Sequence, residues 1–386
     1  MKLFRSCRPL KHPGALRDAL AGIVMAAMDI PQVLGYSKIA GMPVVTGLYS
    51  LLLPLVAFAA FGSSRYLVVA ADSATAAIFA GGVAGAAIPA SAQYIALACI
   101  VAVMTAVILL LARLLRLGFI ADFLSRTVLV GFLTGVGVQV GISVLSEMTG
   151  VPVDSRRPVV QLWEVFRGLP HANLNTLILS ASVLTFVLLL HHFAPKIPGA
   201  LVAVVGAIAA SAAWNLRVTE LRRSGPVAGG LPHLGLMALM SLRDMGPQRN
   251  RAAAHRAASC AVMILTQSAA TARIYAAKHY EKVDENIDLY GLSAANAAAA
   301  LSGGFVVNGS PTQTAMMESA GGQSQLAQVT TALVVGVVLL FLTGPLQHLP
   351  TCVLGVLVFL VALRLINSKN CMRFGGRARR NMRWPS

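Results

Sequence analysis

Two short stretches carry the residue types from which an anion site could be built. One reads Val68-Val69-Ala70-Ala71-Asp72-Ser73-Ala74-Thr75 and the other Val306-Val307-Asn308-Gly309-Ser310-Pro311-Thr312. Each sets a β-branched pair before a small-residue turn and then opens a short helix with Ser-x-Thr. The second has the stronger start signals. Ser310 suits an N-cap, Pro311 the first helical position, and Gln313 the far corner of a capping box, while Asn308-Gly309 is a turn dipeptide. A helix start presents unpaired N–H groups and about half a positive charge. Two such starts facing each other would hold an anion without any lysine. Ser73, Ala74, Ser310, Thr312 and Gln313 would then supply amides and hydroxyls. The plainer alternative is two ordinary loops with a chance likeness and simple helix caps.

The same logic singles out a few polar residues in apolar surroundings. Asp29 and Asp72 lie at membrane depth, where a carboxylate is costly and a functional role is the default reading. Asp72 falls just before the first short helix. Ionised there it would repel an oxyanion, and protonated it would not, so proton–anion symport is the expectation. Its structural alternative is an ionised helix cap, and that of Asp29 is a partner for a buried hydroxyl. Gln32 and Tyr36 are four apart on one helical face and can both donate to an oxyanion, or else serve interhelical packing. Glu318 reads as a cap or a cytoplasmic-side contact, and His191-His192 as an interfacial helix end. There is no Walker sequence, nucleophile elbow or metal-hydrolase motif. The chain therefore does not read as an enzyme, and neither a cofactor nor a metal is called for. The five cysteines show no CxxC spacing and read as thiols, three of them (Cys99, Cys260, Cys352) within apolar stretches.

The elements that must position these groups are membrane helices. Of 386 residues, 56% are hydrophobic and only 12% charged, about half the charged share of a soluble domain. The net charge of +17 lies between apolar runs, which fits the positive-inside bias of membrane loops better than nucleic-acid binding. Spans of about 20 apolar residues are needed, and candidates run over 17–39, 43–62, 92–116, 122–147, 173–193, 197–215, 257–276, 285–303, 323–343 and 346–366. Residues 73–88 and 310–320 are too short to cross and are expected as half-helices. That makes about twelve membrane elements. Lys2, Arg5, Arg8 and Lys11 precede a run too long for a signal peptide, so the N-terminus is expected in the cytoplasm. Arg65, Arg113, Arg116, Arg126, Lys196, Arg273, Lys278 and Lys282 then fall on that side. The loop near 216–256, with seven Arg, breaks the pattern.

A longer set of residues resembles a known family. Pro31-Gln32, Tyr36, Ala40-Gly41, Pro43, Gly47-Leu48-Tyr49-Ser50, Pro54 and Phe61-Gly62-Ser63-Ser64-Arg65 resemble the N-terminal signature of the sulfate permease family of anion transporters. Pro195-Lys196-Ile197-Pro198-Gly199-Ala200 is similar to its middle. Gly303-Gly304 through Ser310 to Glu318-Ser319-Ala320-Gly321 resembles its tenth segment, and Gln325-Leu326 and Leu349-Pro350 also match. The likeness spans about residues 14–367.

The resemblance implies an all-α polytopic fold of seven plus seven inverted segments with a core and a gate domain, the anion sitting between the third and tenth segments. Mapped here, the core takes 17–116 and 257–343, and the gate 117–215 and an incomplete 344–367. A cytoplasmic N-terminus (1–16), an irregular basic loop (216–256) and a basic tail (368–386) complete the map. It implies that Gln32 and Tyr36 line the site. Gln313 stands where relatives often carry Arg, so the anion would rely on N–H groups and hydroxyls. Gln267 stands where relatives often carry an acid for cation coupling, and a neutral amide argues against sodium coupling there. With Asp29, Asp72 and Gln267 as the ion-coupling candidates, the expected function is secondary active transport of an inorganic anion. Sulfate with proton coupling comes first, by alternating access in a bacterial inner membrane. The alternatives are a bicarbonate or dicarboxylate carrier, or a non-transporting truncated membrane fragment. Partners are the anion and membrane lipid, with a homodimer left open and no nucleic acid. The chain is expected to stop after the twelfth segment, without the last two gate helices or the STAS domain usual in the family.

Overall fold

The structure, a computed structural model, describes residues 4–7, 12–83, 86–116, 126–153, 155, 158–194, 199–213, 230, 232, 247–341 and 350–366. Most of the expected basic loop and all of the tail lie outside these, as do Pro195 to Pro198 and Leu349.

The first half runs α1 (His12–Ile39), α2 (Val45–Ser50), α3 (Leu53–Phe61), β1 (Val69–Ala70), α4 (Ser73–Val83), α5 (Ala92–Leu114), α6 (Arg126–Thr149), α7 (Pro158–Gly168), α8 (Leu174–Phe193) and α9 (Gly199–Ala213). The second runs α10 (Pro247–His279), α11 (Glu285–Leu301), β2 (Asn308–Gly309), α12 (Pro311–Ser319), α13 (Leu326–Phe341) and α14 (Thr351–Ile366). The two strand–half-helix units occupy corresponding places in the halves. The strands pair antiparallel, Val69 against Gly309 and Ala70 against Asn308, as two inverted repeats require.

Helix boundaries follow local chemistry. Ser91, Asn173 and Asp284 cap α5, α8 and α11, accepting from the amides of Tyr94, Thr176 and Asn286. The span expected over 43–62 is broken at Leu51–Leu52, because Pro54 starts a new helix there. The eighth span starts earlier than expected. Residues 247–256 are already helical, continuous with the apolar stretch, since Ala252, Ala253 and Ala254 favour helix.

One body forms around α1, α3, α5 and α10 to α13. There α11 packs on α5 and α3, and α1 on α13. Glycines allow the closest crossing: a Cβ on Gly22 would lie 2.4 Å from the Ala327 carbonyl oxygen. The other body is built on α6 against α14, with α7, α8 and α9 around them. The fold is thus an inverted-repeat transporter fold with a core and a gate. By length and hydropathy alone, Gly14–Ile39 and Ala92–Leu114 are the two helices among the described residues that qualify as single spans. The other described helices are shorter or carry polar residues, which is what a site built from half-helices entails.

Candidate functional site

The site forms where the two half-helix starts meet. The β1–β2 pair is extended by Ser310 N–H donating to the Val68 carbonyl at 2.9 Å and Val68 N–H donating to Thr314 Oγ1 at 3.1 Å. These bonds bring the buried starts of α4 and α12, at Ser73 and Ser310, to one junction. The Asp72 carboxylate bridges it, accepting from Ala74 N–H of its own helix (3.2 Å) and from Ser310 Oγ of the other helix (3.1 Å). Gln267 Nε2 of α10 donates to the second oxygen at 3.2 Å. Gln313 is buried and reaches across to donate to the Ala71 carbonyl at 3.2 Å.

Thus Asp72, Ser73, Ala74, Ser310, Gln313 and Gln267 come together. Thr312 lies half-buried on the first turn of α12. Gln32 and Tyr36 form a pair, the phenol donating to the amide oxygen at 2.9 Å, and Gln32 Nε2 reaches Met316 Sδ at 3.2 Å. Through Met316 they approach the second turn of α12. Asp29 is fully buried, and its carboxyl oxygens have no hydrogen-bond partner among the described residues. No bond joins it to the bridged cluster. Glu318 pairs with Lys278 and His279 at the end of α10, each at 2.7 Å. Among the described residues no group of three or more His, Cys, Asp or Glu could hold a metal ion.

The capping box expected at Ser310 is half made. Ser310 Oγ accepts from Gln313 N–H, but the Gln313 side chain turns away, because Val68 already accepts the Ser310 N–H. Sequence reasoning also missed a supporting shell. Ser268 Oγ donates to Asn308 Oδ1 (2.8 Å) and accepts from Gly309 N–H (3.0 Å). Asn296 holds both polar backbone groups of Val307 at 3.1 Å. Gln325 and Gln328 both donate to the Leu67 carbonyl. The signal was present: Asn296 is a lone amide in an alanine run, and Ser268 follows Gln267.

A cavity of about 270 Å³ lies beside α4, lined by Ala77, Ala80, Ser143, Glu147, Gln161 and Lys38 among others. Ala77 is one turn beyond Ser73 and Ala74, so this cavity lies next to the site and between core and gate. Lys38 of α1 and Glu147 of α6 pair across it at 2.6 Å.

Comparison with known proteins agrees with the fold. A probable sulfate transporter of Mycobacterium tuberculosis is 35% identical over 350 residues, covering 91% of this chain and 61% of the relative. The chloroplastic sulfate transporter 4.1 of Arabidopsis thaliana is 24% identical over 360 residues, covering 91% and 51%. The chain therefore spans less than two thirds of the length of these relatives. Their names are those of transporters, which fits a protein that is not an enzyme. Among solved structures, the murine Slc26a9 anion transporter in an inward-facing state superposes with a TM-score of 0.86 at 23% identity, over 96% of this chain and 64% of that one. The transmembrane domain of the cyanobacterial bicarbonate transporter BicA gives 0.80 at 21%, over 93% and 91%. Residues 16–380 match the sulfate permease family, and the chain belongs to that family.

Proposed function

We propose that the chain carries an inorganic anion, sulfate first, across a bacterial inner membrane by alternating access, with a proton as the coupling ion. The N-terminus is placed in the cytoplasm. The core takes 17–116 and 257–343, and the gate 117–215 and 344–367. Sulfate is favoured by the names of the mycobacterial and plant relatives. The observation that carries the reading is the Asp72 bridge. Its two oxygens occupy the donors that an oxyanion would use: the Ala74 amide, the Ser310 hydroxyl and the Gln267 amide.

An ionised Asp72 therefore excludes the anion twice, by charge and by holding its ligands. Protonation removes the charge and releases donors, and the acid O–H can itself donate to the arriving anion. Anion and proton then bind together and leave together. The half-helix poles, Thr312 and the neutral Gln313 supply the remaining field. Gln32 and Tyr36 add side-chain donors from α1. Asp29, buried without a hydrogen-bond partner, is a second place for a proton.

The test is uptake of radiolabelled sulfate into liposomes under an imposed proton gradient. Uptake should rise as the outside is acidified, and indifference to the gradient removes the symport. Asp72→Asn should still bind the anion but lose the pH dependence of binding. An unchanged pH profile refutes the role given to Asp72. Bicarbonate and dicarboxylates are the rival cargoes, and competition against labelled sulfate separates them.

A further inference from the structure

The segment between the expected spans 122–147 and 173–193 contains α7, and its amphipathicity is turned outward. Val159, Trp163 and Phe166, at i, i+4 and i+7, are exposed by 80%, 59% and 59%. The opposite face is the one that meets protein: Val165 is buried, Gln161 lines the cavity between core and gate, and Glu164 accepts from Ser155 N–H. The Arg167 guanidinium sits 5.2 Å from the centre of the Trp163 ring, a cation–π contact.

The direction of α7 fixes what covers this stripe. The chain bends by 115° between α7 and α8. With α8 along the membrane normal, α7 lies only about 25° out of the membrane plane. The 20 residues of α8 make a helix of about 30 Å, the thickness of the hydrocarbon layer. The α7–α8 corner therefore falls at headgroup level. Just past the bend, Leu174, Leu177 and Ile178 of α8 are exposed too. Tryptophan and arginine side by side suit the headgroup boundary, where an apolar ring and a cation are both satisfied.

We infer that α7 is an interfacial helix whose partner is the phospholipid headgroup layer, with Val159, Trp163 and Phe166 in the acyl boundary and Arg167 on lipid phosphate. It pins the gate to one leaflet while its inner face, through Gln161, forms a wall of the cavity beside the site.

The test uses the full chain with Trp214→Phe and Trp384→Phe, leaving Trp163 as its one tryptophan, in liposomes of phosphatidylcholine with phosphatidylglycerol. Lipids brominated near the carbonyl end of the chain should quench Trp163 about twofold more than lipids brominated near the methyl end, as a shallow interfacial position requires. Equal or deeper quenching overturns the placement, because α7 would then lie inside the acyl layer. Absence of quenching by either lipid overturns the partner, because water or a second copy of the chain would then cover the ring. A nitroxide at Val159→Cys gives an independent reading. Contact with dissolved oxygen should exceed contact with a water-soluble nickel chelate, and the reverse order overturns the inference.

Discussion

The proposed alternating access would move the core against the gate and break the charged contacts between them, and Lys38–Glu147 is such a contact among the described residues. Lys38 ends α1, and Glu147 sits near the end of α6, where it packs against Gly355 of α14. The pair is 2.6 Å apart with side chains 23% and 29% exposed. Exposed pairs contribute at most about 1 kcal/mol, and breaking a fully buried pair costs about 3–5 kcal/mol. This pair lies between those limits, beside a cavity that can hydrate the ends. An estimate of about 2 kcal/mol follows, equal to roughly 30-fold in the equilibrium between closed and separated states.

The perturbation is Glu147→Gln or Lys38→Met, alone and against the double charge exchange Lys38→Glu with Glu147→Lys. The assay is labelling of Ala80→Cys, on the α4 wall of the same cavity, by a charged maleimide in proteoliposomes. Each single variant should raise the labelling rate, by up to about 30-fold where separation limits access. The charge exchange should return it toward the parent rate. Unchanged rates in the single variants refute the argument that the pair opposes separation. Raised rates that the exchange fails to restore refute the electrostatic account of it.

Two further substitutions test the local reading. Ser310→Ala removes both the donor to Asp72 and the cap of α12. It should cost about 1 kcal/mol of stability and weaken anion affinity more than tenfold by calorimetric titration, and Ser310→Thr should retain both. Gly22→Ala would set a methyl 2.4 Å from the Ala327 carbonyl oxygen. About 1–3 kcal/mol of overpacking should lower the melting temperature in detergent, and an unchanged melt would mean that α1 and α13 do not cross as described.

How far the sequence spoke depended on whether the relevant force was local. The start of α12 was legible because Ser310 and Pro311 state it within two residues. The β-branched pair before each half-helix was legible because it occurs twice, while the antiparallel pairing of the two came from the fold. The meeting of the two half-helices was an expectation that the β1–β2 pairing fulfils. The reach of Gln313 to Ala71 was hidden, since it depends on the Ser310 N–H being taken by a strand distant in sequence. The break at Leu51–Leu52 was hidden by uniform hydropathy, although Pro54 marked it. Helix α7 was hidden because its 11 residues, with Glu164 and Arg167 among them, fall short of a membrane span. Likewise Ser268, Asn296, Gln325 and Gln328 look unremarkable one at a time. Their role is to satisfy backbone groups of irregular turns at membrane depth, where no water can do so.

That supporting shell also constrains how the proposed site can open. The two half-helix starts are tied by the strand pair, by Val68 to Thr314, by Gln313 to Ala71 and by the Asp72 bridge. Separating them would strand several buried polar groups, each at about 1–3 kcal/mol. Access therefore cannot come from parting the half-helices. It has to come from moving them as one body with α10, which touches both through Gln267 and Ser268. In the proposed movement they would pass α6 and α14, and Lys38–Glu147 is a charged contact at that boundary among the described residues. A rigid site with a breakable ion pair at its boundary is what the proposed alternating access would require of this chain.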